Sequence, residues 1–370
     1  MPDIELHTLA ALHAYQPGPW QLEYSNFRPG NKLICVASRP NSQDYLTIRN
    51  DLDPNDLDKI HISGIGLVSI HSPLDDPAFK SLRIMLASFS GIRVLRYRPA
   101  KRITICATHP AKGDVIVKCV ASGVDTIYAR LSKVWAAKDE LSFSVSQPIS
   151  LVTYANLFVQ SKLSEKEIDF DHAETAISAA SRIARAIGSL HRSRIRFDEH
   201  FSVVSQEARS ERYLKILNAR FPQFSYQLDA LRKRLREEAQ LISEQVQTIK
   251  PIHGSLHGQQ WLIDDTKLGL VDFDRAGMGD VELDLATFVA QWDFESEPTA
   301  NAVKQAFISN YAESANHSIN SRRFTYYRAH KHLSKAYKSG KSVDTAANED
   351  KLLRFLDSAH DVLSVRGDIL

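Results

Sequence analysis

Cysteine is scarce in this 370-residue chain: Cys35, Cys106 and Cys119 stand far apart and form no CxxC pair. That excludes a disulfide framework and a cysteine-ligated zinc site, and fits a reducing compartment. No window reaches the roughly 18 uninterrupted apolar residues of a membrane helix. The start MPDIELHTLAALHAYQPG carries acids where a secretion signal has a basic stretch. Charge of one sign is missing too, since 46 Lys and Arg stand against 44 Asp and Glu for a net charge of +2. A chain so balanced has no global attraction for nucleic acid or anionic lipid, and any such binding needs a local patch. Repeats are absent, and no Gly-rich phosphate loop punctuates the first half. The expectation is a soluble, cytoplasmic protein of two to three domains whose chemistry sits in one local site.

What is present changes character along the chain. Residues 1–88 alternate short apolar runs such as KLICVAS and GIGLVSIH with Pro, Gly, Asn and Asp clusters, which predicts short strands and loops. From Gly91 the segments IRVLRYR, RITICATH and DVIVKCV follow one another as an antiparallel meander. Residues 123–138 have helical spacing with Ile127, Leu131, Val134 and Trp135 on one side, and SLVTYANLFVQSKL reads as one further strand ending near Leu163. After Ser164 helices take over, with DHAETAISAASRIARAIGSLHRS first and residues 206–248 next. Within them, WLID and LGLVDFD predict a hairpin around Asp264, Asp265, Thr266 and Lys267, directly after IHGSLHGQQ.

The stretch HGSLHGQQWLIDDTKLGLVDFDRAGMGDVELDLATF, residues 253–288, gathers Gly turns, two histidines, an amide and several acids. It resembles the catalytic and metal-binding segment of the aminoglycoside phosphotransferase and choline kinase-like family: HGDxHxxN, a hairpin, a metal-binding aspartate, then GDxxxDLA. The resemblance extends to Lys118 in VIVKCV, to Leu190 and His191 at a helix end, and in a softer form to PLDDPAFKSL and VLRYRPAKR. It spans roughly residues 70–340 and implies a two-lobed protein-kinase-like α+β fold, with a nucleotide-binding N-lobe at 89–163 and a helical C-lobe at 164–370; residues 1–88, mostly outside it, are expected to form an extension packed on the N-lobe. The implied activity is ATP-dependent phosphoryl transfer to a hydroxyl of a small molecule or sugar, the nucleotide lying in the cleft.

The resemblance also implies roles. Lys118 would meet the nucleotide phosphates, and the backbone around Val159, Gln160 and Lys162 would receive the adenine. Asp272 and Gln260, the latter at the family's Asn position, would hold magnesium. His253 would buttress the loop, and Asp280 and Asp284 would be structural, satisfying turn and helix-start amides. Ser255 departs from the pattern, because the family has there an aspartate that orients the acceptor and takes its proton. Serine is no general base, and base catalysis is worth about 10² to 10⁴ in rate. The helix after Lys118 offers Asp125 and no glutamate as its ion-pair partner.

Besides the active small-molecule enzyme, two functions stay open at this point: a catalytically silent relative that binds nucleotide or a partner protein, and a kinase acting on peptide Ser or Thr. A zinc site on His253 and His257 is disfavoured, since HGSLH lacks the glutamate of HExxH and no third ligand stands at standard spacing. Residues 324–338 predict a helix with a packed stripe of Tyr326, His330, Leu333 and Tyr337 and an outward basic stripe including Arg328, Lys331 and Lys335. The basic stripe is either a solvated face or the border of an acceptor or partner site that prefers an anionic group.

Overall fold

The computed structural model describes residues 4–28, 32–39, 45–50, 57–63, 65–164, 166–245, 248–264, 267–294, 297–315, 317–340 and 345–364. The expected turn residues Asp265 and Thr266 lie outside these. The chain divides into two compact units, residues 1–128, 148–162 and 338–350 in one and residues 129–147, 163–337 and 351–370 in the other.

The first unit holds two antiparallel sheets. Helix α1 (Ile4–Tyr15) precedes β1 (Gln21–Arg28), β2 (Lys32–Ser38), β3 (Tyr45–Arg49), β4 (Asp58–Ile62) and β5 (Gly66–His71), which pair in the order β1-β2-β3-β5-β4. Their core is Leu12, Trp20, Leu33, Ile48, Ile62 and Ile70. A short α2 (Leu82–Leu86) leads to the second sheet, formed by β6 (Ser90–Arg98), β7 (Arg102–His109), β8 (Gly113–Val120), β9 (Pro148–Val152) and β10 (Leu157–Ser161) in the order β6-β7-β8-β10-β9. The run SLVTYANLFVQSKL is thus a hairpin and not one strand. Asn156 takes a left-handed backbone (φ 50°) after a 3-10 turn at Thr153–Ala155 and reverses the chain. Strand β8 alternates as its sequence demands, with Val115, Val117 and Cys119 buried in the core and Ile116 and Lys118 on the opposite, half-buried face.

A buried carboxylate ties the two sheets together. Asp76, 1% exposed, accepts Ala78 N–H at 2.9 Å, Ala100 N–H at 2.8 Å and the Tyr97 hydroxyl at 2.6 Å. Tyr97 in turn accepts from Thr47 of β3 at 3.2 Å, and Arg49 stands 3.8 Å from Asp76. Burial and the neighbouring carboxylate hold the Tyr97 hydroxyl far above its ordinary pKa, so it remains a donor. Ala100, at the β6–β7 turn, sits in left-handed backbone (φ 52°), and its anchored N–H helps to hold it there.

Helix α3 (Val124–Ala136) starts in the first unit and passes into the second at Ala129. Its buried side takes Val124, Leu131 and Val134 as the spacing demands, and Arg130 as well, while Trp135 is only half-buried. The segment 129–147, read from sequence with the strand-rich half, clusters with the helical unit. That unit contains α4 (Ala173–Arg192), β11 (His200–Phe201), α5 (Val203–Arg220), α6 (Ser225–Ser243), β12 (Lys250–Ile252), β13 (Trp261–Asp264), β14 (Lys267–Leu270) and β15 (Gly277–Gly279). It continues through α7 (Glu282–Val289), α8 (Glu297–Ala315) and α9 (Ser321–Ser339) as far as Tyr337, and takes α10 (Thr345–Ser364) from Lys351 onward. Alanines 176, 180 and 184 with Ile183 and Ile187 give α4 a fully buried stripe, and small side chains let it pack closely on α8. The run 232–238 is not merely a solvated face: Arg232 and Arg236 pair with Glu211 of α5, and Leu235 is buried. Among the described residues no helix is long and apolar enough to cross a membrane.

Candidate active site

The loop between β12 and β13 is held by its backbone from inside the helical unit. Asp284 on α7 is completely buried and accepts His253 N–H at 2.6 Å and Gly254 N–H at 2.8 Å, while His191 at the end of α4 lies 3.2 Å away. His191 is fixed by the Tyr311 hydroxyl at 2.8 Å from its other nitrogen. A carboxylate buried this deeply is tolerated because protein donors replace its water. Gly254 has φ +74°, and a Cβ there would stand 2.1 Å from the Arg275 carbonyl oxygen, so only glycine fits.

His253 is fully buried, its Nε2 bonding the Val271 carbonyl at 3.1 Å and its ring packing edge-on to Phe273 at 5.0 Å. Burial pushes its pKa below the usual histidine range, so the ring is neutral and braces the loop against the segment that carries Asp272. The second histidine has different neighbours. His257 Nδ1 faces the Gln291 amide at 3.2 Å, and its Nε2 faces the Lys331 ammonium at 3.3 Å. Along the loop Ser255 and His257 are half-exposed, while Leu256 between them is fully buried.

Gln260 and Asp272 come together across this loop. Val271 N–H donates to the Gln260 carbonyl at 3.1 Å, and the Gln260 side-chain amide stands 3.4 Å from Asp272 Oδ2. The Gln260 amide oxygen accepts His257 N–H at 2.8 Å, which leaves one lone pair on that oxygen. Asp272 itself has φ 71°, ψ 49°, a left-handed conformation costing roughly 1 to 3 kcal/mol outside glycine and found where a site needs a side chain aimed. Immediately after it, the Asp274 carbonyl receives Arg130 of α3, which also pairs with Glu199. Asp280 does not serve a turn amide. It accepts the Tyr327 hydroxyl at 2.6 Å and stands 3.6 Å from Arg323, while burial raises its pKa. The amides that Asp284 satisfies belong to the 253–254 loop and not to a helix start.

In the first unit, Lys118 is on the central strand of its sheet, not at an edge, and its ammonium lies 6.0 Å from the ring centroid of its cross-strand neighbour Phe158. Asp125 accepts the Thr153 hydroxyl at 3.2 Å. Val159 and Gln160 are paired on both sides of β10, whereas Lys162 lies past it, 3.1 Å from Asp114.

The basic stripe of α9 does not face outward as expected. Arg328 forks onto Asp293, which also takes His332 Nε2 at 2.8 Å and has Lys304 at 3.5 Å. Lys335 donates to the Ala290 carbonyl and lies over Phe294 at 5.1 Å. Lys331 alone of the three is aimed at the loop, through His257. The aromatic stripe packs as expected: Tyr326, His330 and Leu333 are buried, and Tyr337 stacks on Tyr213 at 4.3 Å.

Comparison with known proteins shows the family of the chain. Residues 129–316 match the model of the phosphotransferase enzyme family, and they make up half of the chain. The chain belongs to that family. No curated protein matches its sequence. Among solved structures, this phosphotransferase is similar to choline kinase LicA from Streptococcus pneumoniae at 16% identity, TM-score 0.58, over 77% of this chain and 98% of that one. Amicoumacin kinase hAmiN in complex with AMP-PNP, Ca2+ and Ami is similar at 14% identity, TM-score 0.59, over 79% and 97%. Spectinomycin phosphotransferase APH(9)-Ia in complex with ADP and spectinomycin is similar at 11% identity, TM-score 0.55, over 77% and 98%. At these identities the likeness establishes the protein-kinase-like α+β fold.

Of Ser255, Gln260, Asp272 and His253, which sequence reasoning assigned to one site, Gln260 meets Asp272 at 3.4 Å and His253 bonds the Val271 carbonyl next to it, while Ser255 lies on the same loop as His253. Sequence reasoning missed Gln291 and Arg130, which hold His257 and the Asp274 carbonyl. Neither carries a motif. The one available signal was an arginine on the apolar side of α3. Among the described residues no three His, Cys, Asp or Glu side chains gather as a metal cluster. His253 and His257 aim at different partners.

Proposed function

We propose that the protein transfers the γ-phosphoryl group of ATP to a hydroxyl of a small molecule. The observation that carries this reading is Asp272, held in left-handed backbone beside the Gln260 amide at the mouth of a loop whose amides Asp284 fixes. Asp272 offers carboxylate oxygen, the donor that magnesium prefers, and Gln260, whose amide nitrogen faces Asp272, keeps one lone pair on the oxygen that accepts His257 N–H; water and phosphates would supply the remaining ligands. Asp272 and Gln260 would hold the ion, and it would neutralise charge on the transferring group. Lys118 would pair with the nucleotide phosphates, and the chain around Val159, Gln160 and Lys162 would meet the base. In the transfer the acceptor oxygen bonds to phosphorus, the bond to the ADP oxygen breaks, and the hydroxyl proton leaves with the product phosphate or to solvent.

Ser255 favours a second reading, a nucleotide-binding relative with little turnover. Positioning and electrostatics supply most of the catalysis of phosphoryl transfer, so loss of the base slows the reaction without removing nucleotide binding. Thermal denaturation with ATP and magnesium tests both. At 100 times the dissociation constant the bound nucleotide adds about 2.7 kcal/mol of stability. No shift at millimolar nucleotide overturns both readings. If the shift is present, Ser255→Asp separates them: a gain of up to about 10² to 10⁴ in transfer marks an impaired enzyme, and a protein that stays inert marks a silent one.

A further inference from the structure

The first unit holds a cleft that lies outside the family match at 129–316. Its volume of about 350 Å³ falls within the roughly 300 to 1,000 Å³ of small-molecule sites. Its walls come from separate parts of the unit: Trp20 after α1, Tyr45 and Leu46 of β3, Leu74 after β5, and Ile92 and Val94 of β6. Strand β6 is an edge of its sheet and is irregular where it meets the cleft. Ser90 pairs with Thr108 and Arg93 with Cys106, so Gly91 and Ile92 together oppose Ala107, with Gly91 in left-handed backbone (φ 58°). Such a bulge bends the strand and re-aims a side chain, and Ile92 is left 38% exposed in the cleft wall.

The polar groups of the lining are partly spent inside the protein. Trp20 gives its indole N–H to the Gln16 carbonyl at 2.8 Å, so what it offers the cleft is ring surface. Ser72, also in the lining, donates its hydroxyl to Asp75 at 2.6 Å. The cleft therefore suits an apolar body. Charge decides the rest of the ligand. Between Asp76 and Asp114 the chain has no acid and eight Lys and Arg, among them Arg93, Arg96 and Arg98 of β6. Arg39 lies over the Trp20 ring at 4.6 Å. The two acids that follow Leu74 are already engaged: Arg83 forks onto Asp75, and Asp76 takes two backbone amides and the Tyr97 hydroxyl. An anion is drawn to such surroundings and a cation is not.

We propose that this cleft binds a free small molecule with an aromatic or short alkyl body and one anionic group, the body among Trp20, Leu46, Leu74 and Val94 and the anion drawn by Arg39 and the arginines of β6. The site does not depend on the phosphotransferase reading.

Titration of the full chain with anilinonaphthalene sulfonate, a ring body with one negative charge, tests it, and phenylnaphthylamine supplies the same body without the charge. The sulfonate should bind the parent and bind more weakly as salt rises, whereas the neutral dye should be indifferent to salt. Ile92 is exposed enough to be replaced without loss of the fold. Ile92→Trp should take up part of the cavity and weaken both dyes. Ile92→Glu should bind the sulfonate at least about tenfold more weakly than Ile92→Lys, while these two variants bind the neutral dye alike. Ile84→Glu, at an isoleucine 77% exposed outside the lining, should behave as the parent. Octanoate should displace the sulfonate and octylammonium should not. The proposal is overturned if the sulfonate fails to bind the parent, if Ile92→Trp and Ile92→Glu bind it as the parent does, or if octylammonium displaces it as well as octanoate. Dimers that form in the parent with rising concentration and vanish in Ile92→Glu would also overturn it, since a second copy would then fill the cleft.

Discussion

Asp76 in the first unit and Asp272 in the second are both carboxylates at turns, yet their surroundings differ in kind. Asp76 accepts two backbone amides and a tyrosine hydroxyl, with Arg49 beside it, and is 1% exposed. Asp272 is half-exposed, strained into left-handed backbone, and has an amide side chain at 3.4 Å. A carboxylate saturated by protein donors contributes to folding; one that is half-exposed in costly backbone fits the ligand role proposed for Asp272. Asp284 belongs with Asp76 by this criterion although it lies in the motif, because its oxygens are taken by the loop amides it supports.

Substitutions can break or sharpen that contrast. The largest loss of stability is expected from Gly254→Ala, where positive φ and an overlap with the Arg275 carbonyl combine. About 3 kcal/mol or more should appear in urea denaturation, with transfer activity abolished. Asp284→Ala and Asp76→Ala each strand buried donors and should each cost about 2 to 4 kcal/mol. Of these two, only Asp284→Ala should also impair magnesium–nucleotide binding in the folded protein. If Asp76→Ala impaired it equally, the division between structural and functional carboxylates would fail.

Acid should expose a buried histidine of the second unit. His330, in contact with the Ser210 hydroxyl and surrounded by Arg209, Arg275 and Lys331, is pushed down to about 3 by burial and then by those cations. Below the ordinary histidine pKa of about 6.5 the unfolded chain takes up a proton that the folded one refuses. Stability contributed by neutral His330 is therefore present above that value and falls as pH drops from there toward 3, by up to about 1.4 kcal/mol per pH unit. Denaturation at pH 7.5, 6 and 4.5 should show this slope in the parent and a shallower one in His330→Gln. Smaller still, Tyr97→Phe removes one bond to Asp76 and should cost about 1 kcal/mol.

The sequence made single elements of both units legible where their pattern is local. Alanine-rich periodicity marks α4, and β-branched alternation marks β8 with Lys118 on the face opposite its core. The loop at 253–260 and Asp272 were readable from spacing, and the resemblance built on that spacing agrees with the family match. Partners distant in the chain were not readable. The strand order β1-β2-β3-β5-β4 depends on long-range pairing that no local pattern encodes. The basic stripe of α9 read as solvated because its neutralising acid, Asp293, comes from 35 residues earlier. SLVTYANLFVQSKL read as one strand because its reversal uses Asn156 in left-handed backbone, without a Gly or Pro to mark it.

The central claim, that Asp272 is placed for a ligand and not for folding, is tested most directly by Asp272→Asn. Asparagine tolerates the left-handed backbone and keeps the shape, so unfolding in the absence of ligand should change by less than about 0.5 kcal/mol. The magnesium-dependent part of the ATP-induced thermal shift should disappear. A variant that loses several kcal/mol without ligand, or that keeps the magnesium-dependent shift in full, would contradict the account.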